Sequence, residues 1–292
     1  MTLRPVCGLV LLAALACGRA APSPSATTVV DDAGDSVAVR TPAHRVVSLI
    51  PATTELLFAI GAGGDVVGRS TWCDYPAEAA RVPNLGDGIN PNVEAILAVR
   101  PDLVVLYNSA QHAAVSARLR GLGIPTLRIN TDRLADVGRV GRLLGGLTGR
   151  GRSADSLAAA FDTALAAATV SRPEGRRPTV LLLVWEQPPM TIGRGSFLNE
   201  LVERAGGANL FADVTVSAGP VSIEAVAARD PDFIFTTTDG PSSFARRPEW
   251  QVVRAVRERR FLRVSGSEFN RPGPRSPAAI RELAERLRAA AR

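Results

Sequence analysis

Lysine is absent from the chain: all 34 basic residues are arginine. With abundant alanine, glycine and proline, this reads as a GC-rich codon bias, so the net charge of +6 is discounted as a nucleic-acid signature. The arginines are interleaved with acids, as in RELAERLR, rather than gathered into a stripe with aromatics. Nucleic acid is not an expected partner. Cysteine is scarce too. Cys7 and Cys17 fall in an N-terminal leader, which leaves Cys73 alone in the body and excludes an intrachain disulfide there. With no histidine near it in sequence, Cys73 reads as a packed thiol rather than a reactive one. The only histidines, His44 and His112, are isolated and lack a neighbouring set of metal ligands, so neither a protein-held metal nor a cofactor is expected. No GxSxG elbow occurs, and RVVSLI is followed by PATTE rather than GxGxxG. With no paired-carboxylate signature either, nothing supports an enzyme.

The chain also lacks an apolar run long enough to cross a bilayer at its start. Residues 6–16 are apolar but too few, and fit a secretory leader behind Arg4. Ala14-Leu15-Ala16-Cys17 resembles a bacterial lipobox, so residues 1–17 are expected to be a leader with lipid attachment at Cys17. Residues 18–28, rich in Pro, Ser and Ala, read as a flexible tether. The protein is therefore expected outside the cytoplasm, in the periplasm or on the outer face of the cell membrane.

The rest is built to fold. With 292 residues, 46% of them apolar, there is material for about two domains. VVDDAGDSVAV predicts a β-hairpin, and RVVSLI a buried strand followed by a helix, ELLFAIGAG, capped by Thr53 or Thr54. VEAILAV and AAVSARLRGLG predict helices, and LVVLY and PTLRIN strands, giving an α/β lobe over residues 29–148. SADSLAAAFDTALAAATV carries helical periodicity behind Ser153 as N-cap. A helix over Gly151–Ser171, inside an inter-lobe segment of residues 149–172, would be about 31 Å long and could join two lobes stiffly. The pattern then restarts over residues 173–292: TVLLLVW, DFIFTT and FLRVS as strands, with SFLNELVERAGG, IEAVAAR, WQVVRAVRERR and AAIRELAERLRAAA as helices. The expected class is α/β, with two similar lobes on mostly parallel sheets joined by one long backbone helix.

Two segments, VEAILAVRPDLVVL and IEAVAARDPDFIFT, repeat at a constant offset of 130 residues. Asn92 and Ser222 sit where N-caps are needed, and Glu94 and Glu224 fall in the first turns, where negative charge favours the exposed N–H groups. Helix-end stabilisation alone explains these acids; matched acids on two related lobes also suit a two-part partner with basic pockets.

Thr28–Asn130, with SLIPATTELLFAIGAGGDVVG, CDYP, NPNVEAILAVRPDLVV and LGIPTL, resembles the binding proteins for vitamin B12 and iron siderophores, nearest the B12 branch. The match continues through PPMTIGRGSFLNELVERAGGANLF, VSIEAVAARDPDFI and FNRPGPR. The resemblance implies a monomeric substrate-binding protein of an ABC importer, which docks Glu94 and Glu224 on arginines of a permease coupled to an ATPase. It implies a ligand between the lobes, a corrinoid or another chelate such as haem or a ferric siderophore. A tethered sensor for the same ligand is the alternative partner arrangement.

In such a fold the cleft loops would be STWCDYP, LGDGINP, YNSAQ, WEQPPMTIGRG, VSAGP, TTDGPSS and SEFNRPGPR. Although aromatics make up only 5% of the chain, these loops hold Trp72, Tyr75, Tyr107, Trp185 and Phe269, besides Met190, and Phe244 directly follows TTDGPSS. Flat rings favour a large planar ligand. Trp72 matches a corrin-contacting position, and Trp185 lies in the corresponding loop of the second lobe. Ala218 stands where the B12 binder has a tryptophan, and Asp87 near where another would be expected, which departs from that branch. Asp74, Asn108 and Asp239 are the further polar candidates, and Arg194 and Arg271 could hold carboxylate or hydroxamate oxygens. Phe269 and Tyr75 are the aromatics best suited to anchoring loops instead.

Overall fold

The computed structural model describes residues 25–171, 176–236 and 243–290; Cys17 and Asp239 lie outside them. The expected hairpin is present as β1 (Ser25–Val30) paired antiparallel with β2 (Ser36–Thr41), and it takes in residues 25–28, which the sequence suggested as tether, because they pair with Ala38–Thr41. The first lobe follows as β3 (Val46–Ser48), α1 (Pro51–Ala59), β4 (Val66–Arg69), α2 (Val93–Ala98), β5 (Leu103–Tyr107), α3 (Ala110–Gly121) and β6 (Thr126–Ile129). Its four strands are all parallel, in the order β4-β3-β5-β6. Thr53 and Thr54 are not caps. They lie inside α1, whose N-cap is Ile50, and turn their hydroxyls back to the Ile50 carbonyl at 2.9 and 3.2 Å.

A helix that the sequence reading passed over comes next, α4 (Ala135–Leu147), then the connector α5 (Gly151–Ala168). The connector begins at Arg150 rather than at a Ser153 cap, and its 18 residues span about 27 Å. It is anchored at both ends: Arg150 Nε donates to the Gly61 carbonyl of the first lobe, and Val170 N to the Arg204 carbonyl of the second. α4 packs along α5 because glycines allow close approach. A Cβ at Gly145 would meet the Ala154 Cβ at 2.4 Å and the Arg150 carbonyl oxygen at 3.1 Å. Gly145→Ala is therefore expected to lower stability by about 1–3 kcal/mol through overpacking, despite alanine's better helix propensity, as measured by urea denaturation. A midpoint equal to or above the parent's would contradict this packing.

The second lobe contains β7 (Thr179–Glu186), β8 (Pro189–Ile192), α6 (Phe197–Arg204), β9 (Ala208–Asn209), β10 (Ala218–Pro220), α7 (Ile223–Arg229), β11 (Phe233–Thr236), α8 (Arg254–Arg257), β12 (Phe261–Arg263) and α9 (Ser276–Ala290). β7, β11 and β12 are parallel, as expected, and β9 joins β7 in parallel, while β8 pairs antiparallel with β7 and β10 antiparallel with β8. WEQPPMTIGRG is thus a strand-turn-strand rather than a free loop. WQVVRAVRERR is not one helix either; it breaks into a 3₁₀ turn over Pro248–Val252 and the single turn of α8.

Alternate strand residues face opposite layers. Val46, Val105, Val180 and Phe235 enter one continuous core shared by both lobes, while Val47, Val104, Leu181 and Ile234 enter outer clusters. Burial on both faces is why these strands read as unbroken apolar runs.

The 130-residue repeat has a physical content. Asn92 and Ser222 cap α2 and α7, each accepting an N–H three residues on at 3.1 Å. Both helices stop on left-handed residues at equivalent places, Arg100 and Asp230, with φ of 45° and 44°. The aspartates that follow then tie down the neighbouring strand. Asp102 accepts from the His44 and Arg45 N–H groups at 2.9 Å, and Asp232 from the Thr179 N–H at 2.8 Å.

Candidate functional site

Parallel strands deliver their loops at their carboxyl ends, and ligand hollows form there. Here the segments following β3, β4, β5 and β6 converge on two adjoining hollows of about 510 and 340 Å³ that share Ile50, Pro51 and Trp72. The second lobe closes the larger hollow with Phe197 at the start of α6, Ser217 before β10 and Asn270–Pro272 after β12. The larger hollow is therefore inter-lobe, and Trp72, 60% exposed, stands on the edge between the two.

Three carboxylates and one guanidinium line this space among the described residues: Asp74, Asp87 and Asp132 against Arg271. Arg271 is only 8% exposed and already engaged. It bonds the Asp74 carboxylate and the Ser267 hydroxyl, and its Nε lies 3.5 Å from the Glu55 carboxylate. Burial pushes the Asp74 carboxyl up, but the hydrogen bond and charge of Arg271 outweigh it and hold the group below the usual range. Asp87 is held low by the N–H of Asn90, against some burial, and by that of Ile89, each at 2.8 Å. Tyr107 donates its hydroxyl to Asp132 at 2.7 Å; burial, then that carboxylate, push its phenol above the ordinary value.

The sequence candidates divide. Trp72, Asp74, Asp87 and Arg271 line the hollows together. Phe244 and Phe269 do not: both are buried, Phe244 against Trp250 at 4.7 Å between ring centres and Phe269 against Phe235 at 6.1 Å. They anchor the second lobe. Tyr75 lies under the Arg275 guanidinium at 3.8 Å, in a separate hollow beside Glu55 and Phe58. Asn108 spends its amide on the Asp32 carbonyl at 3.0 Å. Trp185 is exposed and pairs with Met190 across the β7–β8 hairpin, its indole N–H held by the Gln187 carbonyl; neither lines the two hollows. Arg194 is exposed and also outside them, and Ala218 packs against the core beside the lining Ser217. Cys73 is buried, with the Ser70 and Thr54 hydroxyls 3.1 Å from its sulfur, in keeping with a packed thiol.

Asp132 and His112 were missed. Asp132 follows β6, so its signal was a polar residue at the carboxyl end of a parallel strand; nothing in sequence marked His112.

Glu94 and Glu224 occupy equivalent first-turn positions and are both exposed. Their own backbone N–H groups hold both carboxyls below the usual range, helped by Arg118 for Glu94 and by Ser222 for Glu224. Glu94 pairs with Arg118 at 2.9 Å, whereas Glu224 has no ion pair among the described residues.

Residues 46–266 match the periplasmic binding protein family. YvrC of Bacillus subtilis, an ABC transporter substrate-binding lipoprotein, is 32% identical over 89% of this chain and 85% of its own. The periplasmic vitamin B12 binding protein BtuF of Vibrio cholerae matches 86% of this chain and 99% of its own at 27% identity, with a TM-score of 0.73. The periplasmic heme-binding protein RhuT of Roseiflexus sp. RS-1 matches 85% and 99% at 27% identity, with a TM-score of 0.75.

Proposed function

The chain belongs to the periplasmic binding protein family, and from that premise we propose that it captures a corrinoid between its lobes and hands it to an ABC importer. The carrying observation is the charge of the hollows. Among the described residues three carboxylates and one guanidinium line the hollows with Trp72, and that guanidinium is shared by Asp74 and the buried Glu55, which leaves Asp87 and Asp132 without a cationic partner there. Haem propionates and anionic siderophores would meet net negative charge there, with no free cation among the described lining residues to receive them. A corrin ring edged with carboxamides instead offers N–H donors to Asp74 and Asp132, and a flat apolar face to Trp72. The described lining also offers haem iron no free axial donor: Tyr107 is bonded to Asp132, and both ring nitrogens of His112 face carbonyl oxygens.

In this reading the protein is exported and held at the membrane by lipid on Cys17. Glu94 and Glu224 meet cationic pockets on the permease, whose ATPase drives uptake. Titration with cobinamide, cobalamin, haem and a ferric siderophore tests the ligand. Saturable corrinoid binding is expected, weakened about tenfold by Trp72→Ala through loss of ring contact. Binding of haem or siderophore but of neither corrinoid would overturn it.

A further inference from the structure

One wall of the smaller hollow is Ile89, 56% exposed, in the loop of residues 87–90. Behind it lies His112, 6% exposed, at the start of α3. Its Nδ1 is 2.8 Å from the carbonyl oxygen of Tyr107, the last residue of β5, and its Nε2 is 3.0 Å from the carbonyl oxygen of Ile89. A neutral imidazole has one N–H and one lone pair, so it can bond only one of two carbonyls. Both are satisfied together only when both nitrogens carry hydrogen, which is the cation.

The rest of the loop is fixed by other means. The Asp87 carboxylate takes the Ile89 and Asn90 N–H groups, and Gln111 Nε2 donates to Asn90 Oδ1 at 2.7 Å. Gly88, at φ of 78°, lies so close that a Cβ would meet the Leu49 carbonyl oxygen at 2.9 Å. None of these holds the Ile89 carbonyl. We infer that His112, in its cationic form, is the positioning residue that clamps the Ile89 wall to the end of β5, and that ligand capture weakens when its proton is lost. This rests on the hollow being the ligand site.

The titratable groups facing the same hollow are Asp87 on the loop and Tyr107 on the strand end; Leu49, Ile50, Pro51 and Trp72, from the β3, α1 and β4 side, carry none. Beyond Tyr107 stands Asp132, which takes its hydroxyl. Asp87 is held low and Tyr107 pushed high, so neither changes charge between roughly pH 5 and 8.

The test is hydrogen–deuterium exchange of the segment 86–92 at about pH 5.5 and 8, corrected for intrinsic exchange, in parent and His112→Gln, alongside cobinamide titration at both values. Loss of a charge-assisted hydrogen bond predicts that protection and affinity of the parent both fall about tenfold as pH rises. The variant should show no pH dependence in either. A flat parent profile, or a variant that keeps the parent's profile, would overturn the inference. Should cobinamide fail to bind the parent at either pH, the corrinoid proposal falls while exchange still decides the role of His112. If the glutamine variant does not fold, the parent's profile decides alone.

Discussion

Glu55→Ala is expected to lower folding stability by about 3–5 kcal/mol, because it removes the buried carboxylate that two arginines share and leaves their charge only partly compensated. Glu55 is 2% exposed on α1. It accepts Arg275 Nε at 3.0 Å and Nη2 at 2.9 Å, a bidentate pair, and lies 3.5 Å from Arg271 Nε, which has no other hydrogen-bond partner. Arg275 also bonds Glu268, and Arg271 bonds Asp74. The acids Glu55 and Asp74 belong to the first lobe, and both arginines to the segment leading into α9 of the second. The network is an inter-lobe tie as well as a stabilising cluster. Urea denaturation measures the loss, and a change under about 0.5 kcal/mol would refute this reading of the cluster. Replacing Glu55 and Arg275 together with apolar residues is expected to recover much of the loss, since a charge is costly mainly when its partner alone is removed.

The second large effect concerns uptake. Glu94→Ala combined with Glu224→Ala should reduce ligand import at least about tenfold in a strain carrying the cognate permease, while leaving corrinoid affinity of the purified protein unchanged. Truncating one member of an interfacial charge pair commonly costs about 2–5 kcal/mol. The single variants should differ. Arg118 already compensates Glu94, so docking must share or displace that cation, whereas Glu224 has no ion pair among the described residues. Glu224→Ala is therefore expected to be the more damaging single change. Undiminished import by the double variant would leave the two acids as helix-end charges and nothing more.

A tie of this kind bears on motion. Phe197 N donates to the Asp132 carbonyl at 2.8 Å, and Arg133 pairs with Glu200, so α6 also grips the first lobe. The shared core and the connector add to this, and large hinge opening would have to break all of them. Similar scattering profiles with and without ligand are the outcome that this architecture favours.

Much of the architecture was legible because it depends on local chemistry. Asn92 and Ser222 were readable as caps, since a side-chain acceptor at a helix start works through residues three apart. The parallel strands showed as apolar runs because both their faces are buried. α4 was missed because its text, ADVGRVGRLLGGL, is rich in glycines that lower helix propensity; only the presence of α5 makes them useful. Phe244 looked like a cleft aromatic because a loop address says nothing of the direction a ring points, and packing on Trp250 turned it inward.

By itself, then, the chain's text determined two α/β halves, a helical link between them and a matched pair of first-turn acids, since caps, periodicity and turn chemistry act over a few residues. Only the tertiary structure decided which side chains share the hollow, that Arg271 is spent on Glu55 and Asp74, and that His112 spans two carbonyls. Those arrangements join residues as far apart as 55 and 271, and the free energy of burying a charge or an N–H is set by whatever the fold brings beside it.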